Sequence, residues 1–182
     1  MRREFFTPSN ILSISRAVLV IPFTIVMLSS LPTARFWGAF IMILGALTDK
    51  FDGLLARKYG YETEWGRILD PLADKIGVAG VALVLLRLGD IPVWFVAALL
   101  ARDTLIFLGG MYIRARKGVV LQSNMTGKIA VGVITVALFA LVVLGPSLPA
   151  TISIWVGVVF LIASFGGYVR RFVREFQTSQ AG

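Results

Sequence analysis

Long apolar runs separated by short polar turns are the feature that most limits how this chain can fold. A hydrocarbon core of ~30 Å requires about 20 helical residues at a rise of 1.5 Å per residue. Most of the runs reach that length, and the fifth is marginal. We predict an all-α integral membrane protein, a single membrane domain over residues 1–182, with six transmembrane helices preceded by a short N-terminal interfacial helix. The predicted spans cover residues 11–30, 36–58, 65–88, 92–116, 129–144 and 151–169.

Composition agrees with a membrane protein and removes several kinds of catalytic site. Hydrophobic residues make up 57% of the 182 residues, and the mean hydropathy is +0.84, well above that of soluble domains. Histidine and cysteine are absent, which excludes disulfides, thiolate nucleophiles and histidine general bases. Catalysis would therefore use carboxylates, lysine, arginine, tyrosine, hydroxyl groups or metal ions.

Basic residues lie mainly on one side of the predicted bundle. The chain has 18 Lys and Arg residues and a net charge of +8, yet the turns on one side contain only Arg35 and Arg87. By the positive-inside rule, both termini and the more polar loops are cytoplasmic. We expect a multi-pass protein of the cytoplasmic (inner) membrane. The positive charge then indicates contact with anionic membrane lipids and not with nucleic acid.

One polar segment, residues 49–74, interrupts the apolar sequence. Two groups of its residues recur at the spacing of a single helix face. The first group is Asp49, Asp52, Gly53, Ala56 and Arg57, and the second is Gly66, Asp70 and Asp74. The residues between them are polar and include Gly60, which indicates a loop joining two antiparallel helices. The seam between these helices would gather four carboxylates and one arginine, with two glycines leaving space beside them.

Carboxylates at this density need cations, because like charges in apolar surroundings cannot all stay ionised alone. Oxygen ligands favour hard cations such as Mg²⁺, Mn²⁺ or Ca²⁺. Four carboxylates balance two divalent ions, which is typical of a two-metal phosphoryl-transfer site. The alternative is a set of interhelical salt bridges with Arg57, Lys50 and Lys75, but salt bridges do not account for glycines on the same faces.

Residues 49–74 resemble the signature of the CDP-alcohol phosphotransferase (phosphatidyltransferase) family, D-x2-D-G-x2-A-R-x8-G-x3-D-x3-D, at all eight fixed positions. The resemblance implies an enzyme of phospholipid biosynthesis. It would transfer a phosphatidyl group from CDP-diacylglycerol to an alcohol and release CMP. Two divalent cations, Mg²⁺ or Mn²⁺, are the implied cofactors. The resemblance also implies a homodimer, with the active site facing the cytoplasm.

The same resemblance assigns roles to the motif residues. Asp74 would be the general base, beside Asp70 as a second catalytic carboxylate. The implied metal ligands are Asp49, Asp52, Asp70 and Asp74. The implied CDP-binding residues are Asp52, Gly53, Ala56, Arg57 and Gly66. Among these, the glycines and alanine leave space for the nucleotide, and the arginine pairs with a phosphate oxygen.

Three cations outside the motif are candidates for binding an acceptor phosphate, namely Lys128, Arg102 and Arg16. Each also has a simpler interpretation. Arg16 and Lys128 can extend towards the headgroups, and Arg102 can form a structural ion pair with Asp103 inside the bundle.

The acceptor is the least constrained part of the prediction. The opening PSNILSISR and the span pattern most resemble bacterial phosphatidylglycerophosphate synthases, whose acceptor is glycerol 3-phosphate. Arg102-Asp103 followed by LIFLGGMYIR resembles the cardiolipin synthases, which use phosphatidylglycerol. Inositol phosphate and serine are less favoured acceptors. A non-catalytic transporter or scaffold would account for intramembrane carboxylates, but it would not account for the glycines paired with Arg57.

Overall fold

The structure is a computed structural model that describes the backbone of residues 8–59, 66–117 and 125–177 and the side chains of residues 11–51, 72–112 and 125–174. Within these ranges it contains six α-helices and no strand, in agreement with the predicted all-α class. The helices are α1 (Pro8–Met27), α2 (Ala34–Tyr59), α3 (Gly66–Leu88), α4 (Val93–Lys117), α5 (Met125–Leu144) and α6 (Leu148–Gln177).

Several of these helices are suited to crossing a membrane. In the described residues, three helical segments have the length and apolar composition of a span: Val93–Tyr112, Met125–Leu144 and Leu148–Arg174. The segment Ile11–Met27 is apolar but shorter. These are the helices of a multi-pass membrane protein. The count of six spans and the cytoplasmic termini stay predictions, and the predicted interfacial helix lies largely outside the described residues.

The chain divides into two compact units, Met1–Ile91 and Pro92–Gly182, here called unit 1 and unit 2. In unit 1, α1 packs against both α2 and α3. One face of α1 is buried, and its residues are three, seven and four positions apart, which places them on one side of a helix. This stripe consists of Ser13, Arg16, Phe23 and Met27.

Glycine allows α3 to approach α1 closely. A Cβ atom added to Gly80 would lie under 3.0 Å from a γ-carbon of Val20. Val20 is one turn from Arg16, on the same side of α1. The close approach therefore also brings Arg16 next to α3.

A helix cap and an ion pair lie where α3 ends and α2 begins, which we call the far end of unit 1. Gly89 has a φ of +79°, and the Asp90 amide donates to the Leu85 carbonyl at 2.9 Å, the pattern of a Schellman motif. The carboxylate of Asp90 is 4% exposed and accepts a hydrogen bond from Arg35 Nη2 at 2.8 Å. This contact ties the end of α3 to the start of α2.

In unit 2, α5 packs along α6, and α4 also contacts α6. Buried residues of α5 recur at helical spacing and include Ile134, Leu138 and Leu141. Between α4 and α6, the Tyr168 hydroxyl donates to the Ile106 carbonyl at 3.1 Å. The second contact on this side, Trp94 with Trp155, has ring centroids 5.7 Å apart. These contacts fix the register of α6 on α4.

Candidate active site

An arginine of α1 joins the two halves of the polar motif. Arg16 Nη1 donates to Asp74 Oδ1 at 2.6 Å and also contacts Asp49 Oδ1. Asp49 belongs to α2 and Asp74 to α3, so residues of three helices meet at one guanidinium group. We call these three side chains the carboxylate cluster.

Arg16 points into unit 1 because it lies on the buried stripe of α1. Its side chain is only 7% exposed, whereas an arginine that extends to the headgroups would keep its guanidinium in water. Asp49 and Asp74 are 57% and 52% exposed. The cluster is therefore buried on the α1 side and accessible on the side of the carboxylates.

The charges of the cluster are suited to binding a further cation. Two unit charges about 4 Å apart repel by roughly 1 kcal/mol in water and roughly 4 kcal/mol near a protein surface. Two carboxylates that reach the same nitrogen are subject to such repulsion, which a cation bound between them would reduce. Their oxygen atoms are the ligands that hard divalent cations prefer. Asp49 and Asp74 thus fit a role as metal ligands.

Part of the predicted site lies within the described residues. The backbone places the two groups of motif residues on separate helices, since α2 ends at Tyr59 and α3 begins at Gly66. This agrees with the predicted break between two helices, while a direct seam between α2 and α3 stays a prediction. Six side chains lie outside the described set, namely Asp52, Gly53, Ala56, Arg57, Gly66 and Asp70. Among the side chains that are described, no group of three or more acidic residues comes together. The four-carboxylate site stays a prediction.

Unit 2 contains a second buried arginine. Arg102 is 7% exposed, and its Nη1 donates to Asp103 Oδ1 at 2.6 Å. Its Nη2 donates to the hydroxyl of Ser164, which is 4% exposed. Arg102 Nε is buried and has no hydrogen-bond partner among the described residues. Arg16 Nε, in unit 1, is likewise buried without a hydrogen-bond partner among the described residues.

The start of α5 lies close to Arg102. A Cβ atom added to Gly127 would lie 3.9 Å from Arg102 Nη2, and the next residue, Lys128, is exposed. Ser164 was not predicted from the sequence. A single serine in an apolar helix carries no signal beyond helix packing, because small polar residues are common at membrane helix interfaces. Only the contact with Arg102 distinguishes it.

Comparison with known families now gives the class. Residues 6–163 match the model of the CDP-alcohol phosphatidyltransferase family. This range contains Arg16, the whole polar motif, Arg102 and Lys128. The chain belongs to the CDP-alcohol phosphatidyltransferase family and is an enzyme of that class.

Individual relatives agree with this assignment. The chain is 31% identical to the CDP-diacylglycerol–glycerol-3-phosphate 3-phosphatidyltransferase of Bacillus subtilis, over 96% of this chain and 99% of that protein. It is 33% identical to a Mycobacterium tuberculosis protein named probable phosphatidylglycerophosphate synthase, over 92% and 82% of the two chains. It is also 34% identical to a Mycobacterium bovis protein provisionally named cardiolipin synthase, over 58% and 49%. The predictions of the family and of a phosphatidyltransferase of phospholipid biosynthesis are confirmed.

Proposed function

We propose that this enzyme transfers the phosphatidyl group of CDP-diacylglycerol to glycerol 3-phosphate, giving phosphatidylglycerophosphate and CMP. The observation that carries the proposal is the convergence of Asp49 and Asp74 on Arg16, within a chain that matches the family over most of its length. Two relatives that match more than nine-tenths of the chain are named for glycerol 3-phosphate and for phosphatidylglycerophosphate.

The reaction is a single in-line displacement. The acceptor hydroxyl oxygen attacks the lipid-side phosphorus, the bond from that phosphorus to the oxygen shared with CMP breaks, and CMP leaves with the electron pair. Asp74 takes the proton of the attacking hydroxyl as general base, and its half-exposed position gives an acceptor access to it. No covalent enzyme intermediate forms.

Metal ligation and nucleotide binding are assigned to the motif. Two Mg²⁺ or Mn²⁺ ions, when bound, neutralise the pyrophosphate and the charge on the departing CMP. Their proposed ligands are Asp49, Asp52, Asp70 and Asp74. The proposed CDP-binding residues are Asp52, Gly53, Ala56, Arg57 and Gly66. Asp70 is in this scheme a ligand that also orients the reacting phosphate.

Positive side chains are proposed to bind the acceptor phosphate. Arg102 supports this role because its Nε is buried without a partner in the described residues, while its other nitrogens are held in place. Lys128 is exposed at the start of α5, and Arg16 lies beside the proposed base. A charge-assisted hydrogen bond from each would favour an anionic acceptor.

Cardiolipin synthesis, with phosphatidylglycerol as the acceptor, is the second candidate. The Arg102–Asp103 ion pair favours it, because Asp103 offsets the charge that would attract a small dianionic phosphate. The similarity to the Mycobacterium bovis protein also supports it. Inositol phosphate and serine are retained as lesser alternatives.

The arrangement in the cell is also proposed. We infer six transmembrane helices within one domain over residues 1–182, in the cytoplasmic membrane, with both termini and the motif facing the cytoplasm. The positive-inside rule supports this orientation. The family resemblance supports a homodimer.

The test is CMP release by the purified protein in detergent with CDP-diacylglycerol and Mg²⁺ or Mn²⁺. Glycerol 3-phosphate, phosphatidylglycerol, inositol phosphate and serine are supplied one at a time. We expect glycerol 3-phosphate to stimulate CMP release most strongly, and EDTA to abolish it. Stimulation by phosphatidylglycerol alone would establish the second candidate and refute the first.

A further inference from the structure

The contacts of Arg16 point to a role in the resting enzyme that is separate from binding the acceptor. One nitrogen of this guanidinium contacts a carboxylate of α2 and a carboxylate of α3. The partners are 33 and 58 residues away in sequence. The charge of Arg16 therefore holds together two helices that carry opposite halves of the motif.

The position of Arg16 coincides with that of a cation the motif would bind. Asp49 and Asp74 are proposed metal ligands, and their Oδ1 atoms already share one positive group. A divalent ion between the same oxygens would meet the guanidinium at short range, where like charges repel. Arg16 and the ion therefore compete for the Oδ1 atoms of Asp49 and Asp74.

We propose that Arg16 is a tethered counter-cation of the carboxylate cluster. When no divalent ion is bound, it neutralises part of the charge of Asp49 and Asp74 and keeps α2 and α3 together. When an ion binds, Arg16 gives up these contacts to it. This role rests on the proposed metal site. In this role Arg16 is a positioning residue. It stabilises the carboxylate cluster when no ion is bound, and it lowers the affinity of the cluster for the divalent ion.

The same unit contains a matched ion pair for comparison. Arg35 and Asp90 pair at the far end of unit 1, where Asp90 is 4% exposed. This pair links two helices as Arg16 does, but it contains one carboxylate and no motif residue. Its removal tests the effect of breaking an interhelical ion pair without touching the carboxylate cluster.

The experiment is a titration of the purified protein with Mn²⁺ in detergent, without substrate, in which electron paramagnetic resonance measures the free ion. The proteins are the wild type, Arg16→Gln, Arg16→Lys and Arg35→Gln. We expect Arg16→Gln to bind Mn²⁺ about tenfold more tightly, because a positive charge near the ion is removed. Arg16→Lys should fall between this variant and the wild type, and Arg35→Gln should match the wild type.

Thermal unfolding of the same proteins gives the second readout. In EDTA, Arg16→Gln should have a lower Tm than the wild type, and Mn²⁺ should restore most of the loss. Arg35→Gln should lose Tm to the same extent with and without Mn²⁺. If Arg16→Gln is recovered in folded form only when Mn²⁺ is present during extraction, that result also supports the proposal. If Arg16→Gln does not fold in either buffer, the Mn²⁺ affinity of Arg16→Lys decides the question. An affinity equal to or weaker than that of the wild type then refutes the proposal.

The outcomes separate this inference from the proposed function. Equal or weaker Mn²⁺ binding by Arg16→Gln would overturn the counter-cation role while leaving a metal site in place. An Arg16→Gln Tm loss that Mn²⁺ does not restore would likewise reduce Arg16 to a structural clamp. Absence of Mn²⁺ binding in the wild type and in every variant would instead refute the metal site, and with it the mechanism proposed above.

Discussion

Two buried arginines, Arg16 in unit 1 and Arg102 in unit 2, are equally inaccessible but differ in what they hold. Each is 7% exposed. Arg16 contacts carboxylates that belong to two other helices. Arg102 instead contacts the carboxylate of the adjacent residue, Asp103. An arginine neutralised by its own neighbour needs no tertiary structure for that contact. The contacts of Arg16 therefore depend on how the helices of unit 1 pack, while the ion pair of Arg102 does not depend on helix packing.

The groups around the two arginines also differ in the kind of ligand that they would bind. In unit 1, two carboxylates of the described residues contact one guanidinium, so this cluster offers oxygen ligands to a further cation. In unit 2, the guanidinium contacts one carboxylate and one hydroxyl, and its proposed ligand is an anion. The proposed transfer to a phosphorylated alcohol uses one site of each kind. The comparison predicts that substitutions in unit 1 mainly lower kcat and that those in unit 2 mainly raise KM.

The largest expected effect comes from the carboxylates of the motif. Asp70→Asn and Asp74→Asn should each lower the rate of CMP release by roughly 10³-fold, equal to about 4 kcal/mol of transition-state stabilisation. The amide keeps the size of the side chain but loses the charge and the basic oxygen. Circular dichroism and the Tm should show a folded protein in each case.

The matched substitution in unit 2 is Asp103→Asn. We expect less than a roughly tenfold change in kcat, which corresponds to about 1.4 kcal/mol, because Asp103 positions Arg102 and does not touch the reacting atoms. A loss in Asp103→Asn as large as that in Asp74→Asn would remove the distinction between the two units.

The next effect tests the packing that places Arg16. Gly80→Ala should lower the free energy of unfolding by about 1–3 kcal/mol, the usual cost of an overpacked contact. The added Cβ would meet Val20, whose β-branched side chain has little rotamer freedom in a helix.

Gly77→Ala, on the same helix, is the control. A Cβ at Gly77 meets no atom within 4 Å, so this variant should be neutral, or more stable by up to about 1 kcal/mol from helix propensity. Chemical denaturation in detergent measures both. Equal stability of the two variants would mean that α3 does not lie against α1 as described.

A smaller effect is expected at Ser164. Ser164→Ala removes the hydroxyl that holds Arg102 Nη2, so KM for glycerol 3-phosphate should rise about five- to tenfold, which corresponds to about 1 kcal/mol, the typical net value of one hydrogen bond. The value of kcat should change little, and Ser164→Thr should restore KM. The control is Ser153→Ala on the same helix, because that hydroxyl bonds only a local carbonyl. A change in kcat without a change in KM would contradict the positioning role.

The smallest effect concerns the contact of α4 with α6. A Cβ added to Gly109 would come under 3.0 Å from the Tyr168 hydroxyl oxygen. Gly109→Ala should therefore displace this hydroxyl from the Ile106 carbonyl and cost about 1 kcal/mol of stability, the typical value of one hydrogen bond. Gly110→Ala, where no atom lies within 4 Å, should show no such loss in the same denaturation experiment.

The helices themselves were largely predictable from the sequence. Apolar runs bounded by glycine or proline gave the extents of α3 and α4 to within one residue, because such residues end helices for local reasons. The apolar pattern places the start of the fifth span near residue 129 and leaves room for an earlier start, and the helix begins at Met125. The first turn of α5 contains polar residues, and a prediction based on hydrophobicity therefore does not include it.

The contacts of the site were less predictable. Periodicity placed Asp49 and Asp74 on defined helix faces, but it does not say which third helix those faces meet. Arg16 was compatible with either the headgroups or the site, and only its position on the buried stripe of α1 distinguishes the two. Ser164 gave no signal at all, because its significance depends on the tertiary contact with Arg102.

The measurement that tests the central claim most directly is CMP release by Asp49→Asn, Asp74→Asn and the double variant, with Asp90→Asn as the control aspartate at the far end of unit 1. If Asp49 and Asp74 act as one cluster, each single variant should lose roughly 10³-fold, and the double variant should lose little more, since residues that act as a unit are not additive. Asp90→Asn should keep its activity below its Tm. Single variants that retain a tenth or more of the wild-type rate, or losses that multiply in the double variant, would contradict the claim that these two carboxylates form one catalytic site.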